Sequence, residues 1–161
     1  MLAALRRNVE WRAIPLAGLA GGTVYLVIVL IFSGGVLGLS PTVVLRYFGS
    51  LLLGPDALMQ GGIGLVAAGL AVHYVLSLVF ALIISLVVHR WGMLVGVILG
   101  GLMGLGLYGI NVYTLTALFP WFFAINSVLL LICHIVYGAV VGGVYEYFDR
   151  FDAGLSQEVR R

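Results

Sequence analysis

Long apolar stretches separated by short polar breaks dominate the hydropathy pattern of the chain. Four of these stretches cover residues 13–39, 61–88, 92–112 and 122–145. Each meets or exceeds the roughly 20 mainly apolar residues that a helix needs to cross a bilayer. The pattern therefore predicts an all-α integral membrane protein, in which a bundle of four transmembrane helices forms a single membrane domain over residues 1–161.

The last two stretches belong to one charge-free run that must turn around within itself. Residues 91–145 contain no Asp, Glu, Lys or Arg, and a run of this length is too long for one span. Polar side chains from Asn111 to Thr114 are followed by Phe119-Pro120-Trp121. Because proline and clustered polar groups mark turns, we expect the chain to reverse its direction here.

The segment 41–53 lies between the first two spans and has a different pattern. Ser40 followed by Pro41 suits an N-cap and the first position of a helix. Polar residues recur every four positions and form one face: Thr42, Arg46 and Ser50. This pattern predicts a short helix that lies in the outer interface of the membrane and seals the top of the bundle. A gate or a docking surface is the alternative.

The arginines predict how the helices are oriented, since the chain has no lysine. With four spans, only Arg46 falls on one side, and seven arginines fall on the other: Arg6, Arg7, Arg12, Arg90, Arg150, Arg160 and Arg161. The positive-inside rule then predicts that both termini are cytoplasmic. The first apolar stretch is too long for the core of a signal peptide, and no small-x-small site ends it, so we expect a retained span.

Composition excludes several function classes. Hydrophobic residues make up 63% of the chain and charged residues 9%, with a mean hydropathy of +1.20, whereas a soluble domain is about half apolar and about a quarter charged. A net charge of +2 is too weak to indicate a nucleic-acid partner. The sequence has no set of Ser, His and an acid in reach, no metal-ligand spacing, no phosphate-binding loop and no cysteine pair. We therefore expect neither an enzyme nor a metal site.

Glycines recur at intervals of four in the later spans. Within lipid, repeated small residues let two helix backbones approach closely, and such stripes indicate helix packing. We therefore expect the third and fourth spans to pack through these residues: Gly92, Gly96, Gly100 and Gly104 in the third, and Gly138 and Gly142 in the fourth.

Two histidines extend small-residue stripes into the outer half of the membrane. His73 shares a face of the second span with Ser77, and His134 lies on the stripe of the fourth span, with Glu146 at the inner interface. At about 1.5 Å per residue the two imidazoles reach similar depths, close to Tyr108 and Asn111 of the third span. A polar group at that depth normally faces the bundle interior, so these residues form a candidate polar cluster.

Three interpretations of this cluster remain open at this stage. In the first, each neutral histidine forms hydrogen bonds to neighbouring polar groups and fixes the helix register. In the second, His73, His134, Tyr108 and Asn111 line a path for protons or a small solute, because histidine changes its charge near neutral pH. In the third, His73 and His134 are the axial ligands of a haem b.

Several of these features resemble the YagU-type proteins, which are small bacterial inner-membrane proteins with about four spans. The resemblance covers about residues 61–147 and depends on a few short motifs: His73 with Ser77 and Phe80, the glycine-rich third span, Phe119-Pro120-Trp121, and His134. It implies a bacterial inner membrane and, at most, a link to acid tolerance.

A small, charge-poor protein with glycine-lined helix faces suits a non-catalytic accessory subunit or helper of a larger membrane complex. The alternatives are a small channel or transporter that uses the polar cluster, and an electron-transfer subunit that carries haem b. The expected partners are the bilayer and other membrane subunits or a second copy of the chain, without nucleic acid.

Overall fold

The apolar stretches form helices that end at glycine, proline or polar residues. The computed structural model describes residues 9–158, and it describes side chains for residues 9–149. Within residues 9–158 the protein is all-helical and has no strand. The α-helices are α1 (Ala13–Leu37), α2 (Pro41–Leu53), α3 (Ile63–Val88), α4 (Met93–Gly109) and α5 (Val128–Glu158). The positions of Arg6, Arg7, Arg160 and Arg161 lie outside the described residues.

Four of the helical segments are long and apolar enough to cross a membrane, as the hydropathy pattern predicts. They are Ala13–Leu37, Ile63–Val88, Met93–Ala117 and Val128–Asp149. The third continues beyond α4 because a π turn, Ile110–Thr114, and a short 3₁₀ turn follow it directly. The protein therefore has the helices of a membrane protein with four spans.

The connection between α4 and α5 differs from the prediction. Pro120 starts a second 3₁₀ segment, Pro120–Ile125, and stands at its first position, where the fixed φ and the missing N–H of proline are tolerated. α5 begins at Val128, and the Ser127 hydroxyl accepts a hydrogen bond from the Leu130 N–H at 3.3 Å. The predicted start of the fourth span near residue 122 is therefore corrected to Val128.

α5 is the central helix of the bundle. It packs against α4 along one side and against α1 along another, while α3 packs against α1 and α2 packs against α3. Accordingly, 56% of the spanning stretch of α5 is buried within the protein, compared with 28% for each of α3 and the α4 segment. α3 and the α4 segment therefore leave the largest shares of their surfaces exposed.

The α4–α5 contact is a seam of backbone against backbone. A Cβ atom at Gly100 would collide with the carbonyl group of Gly138, and one at Gly96 would lie 2.9 Å from the carbonyl oxygen of Gly142. Gly104 lies equally close to the backbone of His134. Gly92 has another role, because it precedes α4 with a φ of 88°, a conformation that favours glycine.

α2 occupies the predicted residues but is more deeply packed than its sequence pattern indicates. Gly49 of α2 lies directly against the backbone of Gly69 in α3. Ser50, expected on the polar face, is fully buried and accepts a hydrogen bond from the Trp121 indole N–H at 2.9 Å. The Ser40 hydroxyl makes no capping hydrogen bond, so Pro41 and the backbone define the start of this helix.

Candidate functional site

A cavity of about 310 Å³ lies in the half of the bundle that contains α2 and the α4–α5 connection. We call it the outer cavity. Its wall comes from α1, α2, α3, α5 and the turns after α4, and most of it is aliphatic or aromatic. Six lining side chains carry a polar group: Tyr25, His73, Ser77, Asn111, His134 and Tyr137.

Two of the predicted residues attach α3 to α1. The His73 Nε2–H donates to the Gly22 carbonyl oxygen at 2.8 Å, and the Ser77 hydroxyl donates to the Gly18 carbonyl oxygen at 2.7 Å. The two bonds are one helical turn apart on both helices. Glycine makes them possible, because a Cβ at Gly22 would lie only 2.6 Å from the Ser77 hydroxyl oxygen.

The other predicted residues surround His134. Its Nδ1–H donates to the Leu130 carbonyl oxygen at 2.7 Å, and its Nε2 accepts a hydrogen bond from the Asn111 amide at 3.1 Å. The Tyr108 ring meets the imidazole edge-on at 5.7 Å. The Tyr108 hydroxyl donates to Asn126 at 2.6 Å, so Tyr108 supports the wall without lining the cavity.

A residue that the sequence analysis missed joins these two groups. The ring of Tyr25 in α1 lies 5.3 Å from the His73 ring and 5.1 Å from the His134 ring, centre to centre. Phe48 of α2 also stacks on the His73 imidazole, with the ring centres 5.6 Å apart. In the sequence, Tyr25 is one aromatic residue within an apolar run, and nothing there indicates that it contacts both histidines.

The arrangement does not fit a haem held by both histidines. An axial ligand needs an imidazole nitrogen with a free lone pair. In His134 the Nδ1–H is bonded to Leu130, and the Nε2 lone pair accepts from Asn111. Tyr25 occupies the space beside both rings. His73 and His134 therefore do not offer a matched pair of axial ligands.

Asn111 reaches His134 from the π turn at the end of α4. A π turn is rare and often occurs at a functional site. The turn places the Asn111 N–H₂ group on the imidazole and leaves its Oδ1 atom buried without a hydrogen-bond partner among the described residues. A buried acceptor without a partner costs about 1–3 kcal/mol, so the π turn holds the Asn111 amide against His134 at a cost in stability.

The cavity is closed on the side that faces the other end of the bundle. Its floor includes Tyr137, whose hydroxyl donates to the Ser77 carbonyl oxygen at 2.5 Å. Beyond this floor the side chains of Ala81, Ile84 and Val141 are fully buried. Packing of this kind favours binding within the cavity over passage through the bundle.

The outer cavity is uncharged and has an apolar entrance. Its lining, all within the described residues, contains no Asp, Glu, Lys or Arg. Leu52 belongs to the lining and is 68% exposed, so the cavity reaches the apolar outer surface of the protein beside α2. Such a cavity, of a few hundred Å³ with a few converging polar groups, has the character of a site for a small molecule.

A second polar group, at the opposite end of the bundle, was only partly expected. Glu146, predicted at the inner interface, is buried to 1% exposure and accepts the backbone N–H groups of Trp91 and Gly92. His89 lies with its Nδ1 3.0 Å from the Tyr145 hydroxyl and 3.5 Å from Asp149. Across the described residues no group of three or more His, Cys, Asp or Glu side chains is arranged to hold a metal ion.

Comparisons with protein-family models, with curated proteins and with solved structures found no match to this chain. The resemblance to YagU-type proteins therefore stays a prediction, and the candidate site is defined by its geometry.

Proposed function

We propose that this protein is a non-catalytic accessory component of a membrane, and that it acts by binding a lipid-soluble molecule in the outer cavity. The observation that carries the proposal is the combination of an apolar entrance beside Leu52 with the polar side chains of His73, Asn111 and His134 in the lining. A molecule from the bilayer enters through apolar surface and orients itself by a few hydrogen bonds.

The packing around the cavity supports binding more than chemistry or permeation. Both nitrogens of His134 and the Nε2 of His73 are already hydrogen-bonded, which suits a fixed wall more than a group that must gain and lose protons. The fully buried side chains below Tyr137 separate the cavity from the other end of the bundle. A small channel or transporter therefore receives less support than a binding protein.

For location, we propose a bacterial inner membrane with both termini in the cytoplasm. Arg12 and Arg90 lie at one end of the bundle and Arg46 lies near the other, a distribution that supports this orientation through the positive-inside rule. α2 then lies at the outer interface, beside the cavity entrance. The partners that we propose are the bilayer and other membrane subunits or a second copy of the chain.

The test compares two substitutions in the turns after α4. Leu115 lines the cavity, whereas Leu118 is 70% exposed and does not line it. Leu115→Trp should fill part of the cavity, and Leu118→Trp should leave it open. Both full-length variants and the unsubstituted protein are purified in mild detergent, and their organic extracts are compared by mass spectrometry.

We expect at least one lipid-soluble compound that co-purifies in about equimolar amount with the unsubstituted protein and with Leu118→Trp, and that is strongly depleted in Leu115→Trp. If all three extracts carry the same compounds in the same amounts, the outer cavity is not a binding site and the proposal fails. The same preparations, analysed for co-purifying membrane proteins, test the accessory role.

A further inference from the structure

Aromatic rings are concentrated in the lining of the outer cavity. Six of the seventeen lining residues are Phe or Tyr, whereas Phe, Trp and Tyr make up 12% of the whole chain. The rings of His73 and His134 belong to the same lining. The polar groups of the lining include both hydrogen-bond donors and acceptors, so they can orient a ligand but do not select its class. Selectivity therefore has to come from the rings.

Several of these rings are held in fixed orientations. Phe48 stacks on the His73 imidazole, with an interplanar angle of 16° and the ring centres 5.6 Å apart, and on Phe122 at 6.3 Å. The His73 imidazole is itself hydrogen-bonded to the backbone of α1, and the Tyr137 hydroxyl is hydrogen-bonded to the backbone of α3. A wall of fixed, flat surfaces suits a flat, rigid molecule better than a flexible chain, which loses conformational freedom when it is bound.

The rings continue to the deep end of the cavity. Leu52 marks the entrance at the outer surface, whereas Phe80 belongs to the lining toward the opposite end of the bundle. Phe80 follows His73 by seven residues on α3 and therefore lies about 10 Å deeper, at roughly 1.5 Å per residue. The volume of about 310 Å³ is about twice the roughly 150 Å³ of an apolar cavity that holds one benzene molecule, which leaves room for two fused rings.

From these observations we propose that the outer cavity binds a neutral, lipid-soluble molecule with a planar, unsaturated system of one or two rings. The ring lies at the deep end, and an alkyl chain leaves past Leu52. This inference rests on the proposed function and assigns the chemical class of the ligand. Neutrality follows from the lining, which lies within the described residues and carries no Asp, Glu, Lys or Arg, since burying an unpaired charge is strongly unfavourable.

The surrounding bilayer explains why the ligand needs a ring. A saturated chain is in apolar surroundings in the bilayer as well as in the protein, so moving it into the cavity gains little hydrophobic free energy. A planar ring gains contacts that lipid tails cannot offer, because offset-stacked and edge-to-face pairs of rings attract each other beyond the effect of buried area. Acyl chains of the bilayer, the most abundant competitors, are thereby disfavoured.

Cys133 provides a readout of binding. It is fully buried and is the single cysteine of the chain, so a maleimide that becomes fluorescent on reaction reports its exposure when the protein unfolds. A ligand of the folded state raises the unfolding temperature with a concentration dependence that gives its apparent affinity. Three probes are added to the full-length protein at equal mole fractions in mild detergent: naphthalene carrying a dodecyl chain, decalin carrying the same chain, and an alkane of equal carbon number.

We expect the naphthalene probe to stabilise the unsubstituted protein and Leu118→Trp saturably, with an apparent affinity at least about fivefold higher than that of either saturated probe, as additional ring contacts predict. Leu115→Trp should lose most of this stabilisation, and equal stabilisation of this variant would place the probe outside the cavity and overturn the inference. If a saturated probe binds as tightly as the naphthalene probe, the ring class is wrong while the binding function stands.

If no probe stabilises the protein, the ring class is also wrong. The proposed function fails with it only when the unsubstituted protein, in addition, co-purifies with no compound that Leu115→Trp lacks. The two failures are therefore distinguishable.

A pair of substitutions tests the position of the ring. Phe80→Leu removes a ring from the deep end, whereas Phe123→Leu removes one that is 48% exposed and does not line the cavity. The preference for naphthalene over decalin should fall by about twofold or more in Phe80→Leu and stay unchanged in Phe123→Leu. An unchanged preference in both variants would show that the ring does not lie at the deep end. Should Phe80→Leu fail to fold, the comparison of naphthalene with decalin on the unsubstituted protein still decides the ligand class.

Discussion

The carboxylate of Glu146 in α5 accepts a hydrogen bond at 2.9 Å from the backbone N–H of Gly92, the residue that precedes α4. A helix begins with N–H groups that have no partner within the helix, and a negative charge there is favourable. Glu146 therefore caps α4 from a neighbouring helix. Because Gly96 lies against the same side chain, this cap also fixes the register of the α4–α5 seam.

The first prediction concerns this cap. Glu146→Ala should lower the free energy of unfolding by about 1.5–3 kcal/mol, because it leaves buried N–H groups without their charged acceptor. Glu146→Gln should lose less, since its amide oxygen still accepts. Stability is measured by unfolding in mixed detergent micelles. Tyr147→Phe, at a neighbouring position that is 56% exposed, is the control, and an Ala variant as stable as this control would contradict the role of Glu146.

The second prediction compares two glycines of the same helix. A Cβ at Gly100 would collide with the Gly138 carbonyl group, whereas a Cβ at Gly106 would meet nothing within 4 Å. Gly100→Ala should therefore destabilise the protein by about 1–3 kcal/mol through overpacking. Gly106→Ala should be neutral or stabilise it by about 0.5–1 kcal/mol, since glycine is a poor helix former.

The same unfolding assay separates these outcomes, and the two variants differ only in position. If Gly100→Ala and Gly106→Ala change the stability equally, the α4–α5 seam does not depend on close backbone contact. Leu102→Ile, at a position that is 60% exposed, provides a further reference and should have little effect.

The helices were predictable because a membrane span requires a continuous run of apolar residues of a certain length, and such runs can be recognised directly in the sequence. Ala13, Val88 and Leu53 mark helix ends at or close to the predicted positions, since glycine, proline or charge interrupts the apolar run beside each. The first residue of α5 was harder to predict from the sequence. Residues 122–125 are as apolar as a helix, but they form a 3₁₀ segment, and the extended backbone of Asn126, with a ψ of 127°, separates that segment from α5.

The site was less predictable than the helices, because several groups that contact the histidines have no signature in the sequence. The histidines and Asn111 attract attention as polar residues in apolar runs. However, His73 bonds to a backbone carbonyl group, which every residue possesses, and Tyr25 is indistinguishable from a tyrosine that faces lipid. The contact of Tyr25 with both imidazole rings depends on how α1, α3 and α5 pack together, and this arrangement emerges only from the packed structure.

The third prediction concerns the protonation of the two rings. The His73 ring should carry its proton on Nε2, facing Gly22, whereas the His134 ring should carry its proton on Nδ1, facing Leu130. The opposite tautomers have different ¹⁵N chemical shifts in solid-state NMR of the protein in lipid. Asn111→Leu should leave the His134 tautomer unchanged, because the Leu130 carbonyl group still accepts. The same tautomer in both rings would contradict the hydrogen-bond directions used above.

The last prediction concerns orientation, and the single cysteine makes it easy to test. Cys133 is fully buried, so it should give little background with a membrane-impermeant maleimide. Met59, 91% exposed, lies before α3, and Trp91, 65% exposed, lies after it. α3 has 26 residues and is therefore about 39 Å long at roughly 1.5 Å per residue, so these two positions emerge on opposite faces of the bilayer.

In intact cells, Met59→Cys should be labelled and Trp91→Cys should be labelled only after the membrane is made permeable. The reason is the distribution of arginine: Arg90 stands beside Trp91, and cationic loops remain in the cytoplasm. Labelling of Trp91→Cys from outside, together with protection of Met59→Cys, would reverse the orientation and place the outer cavity in the cytoplasmic half of the membrane. Its ligand would then come from the opposite leaflet, while the lining of the cavity would be unchanged.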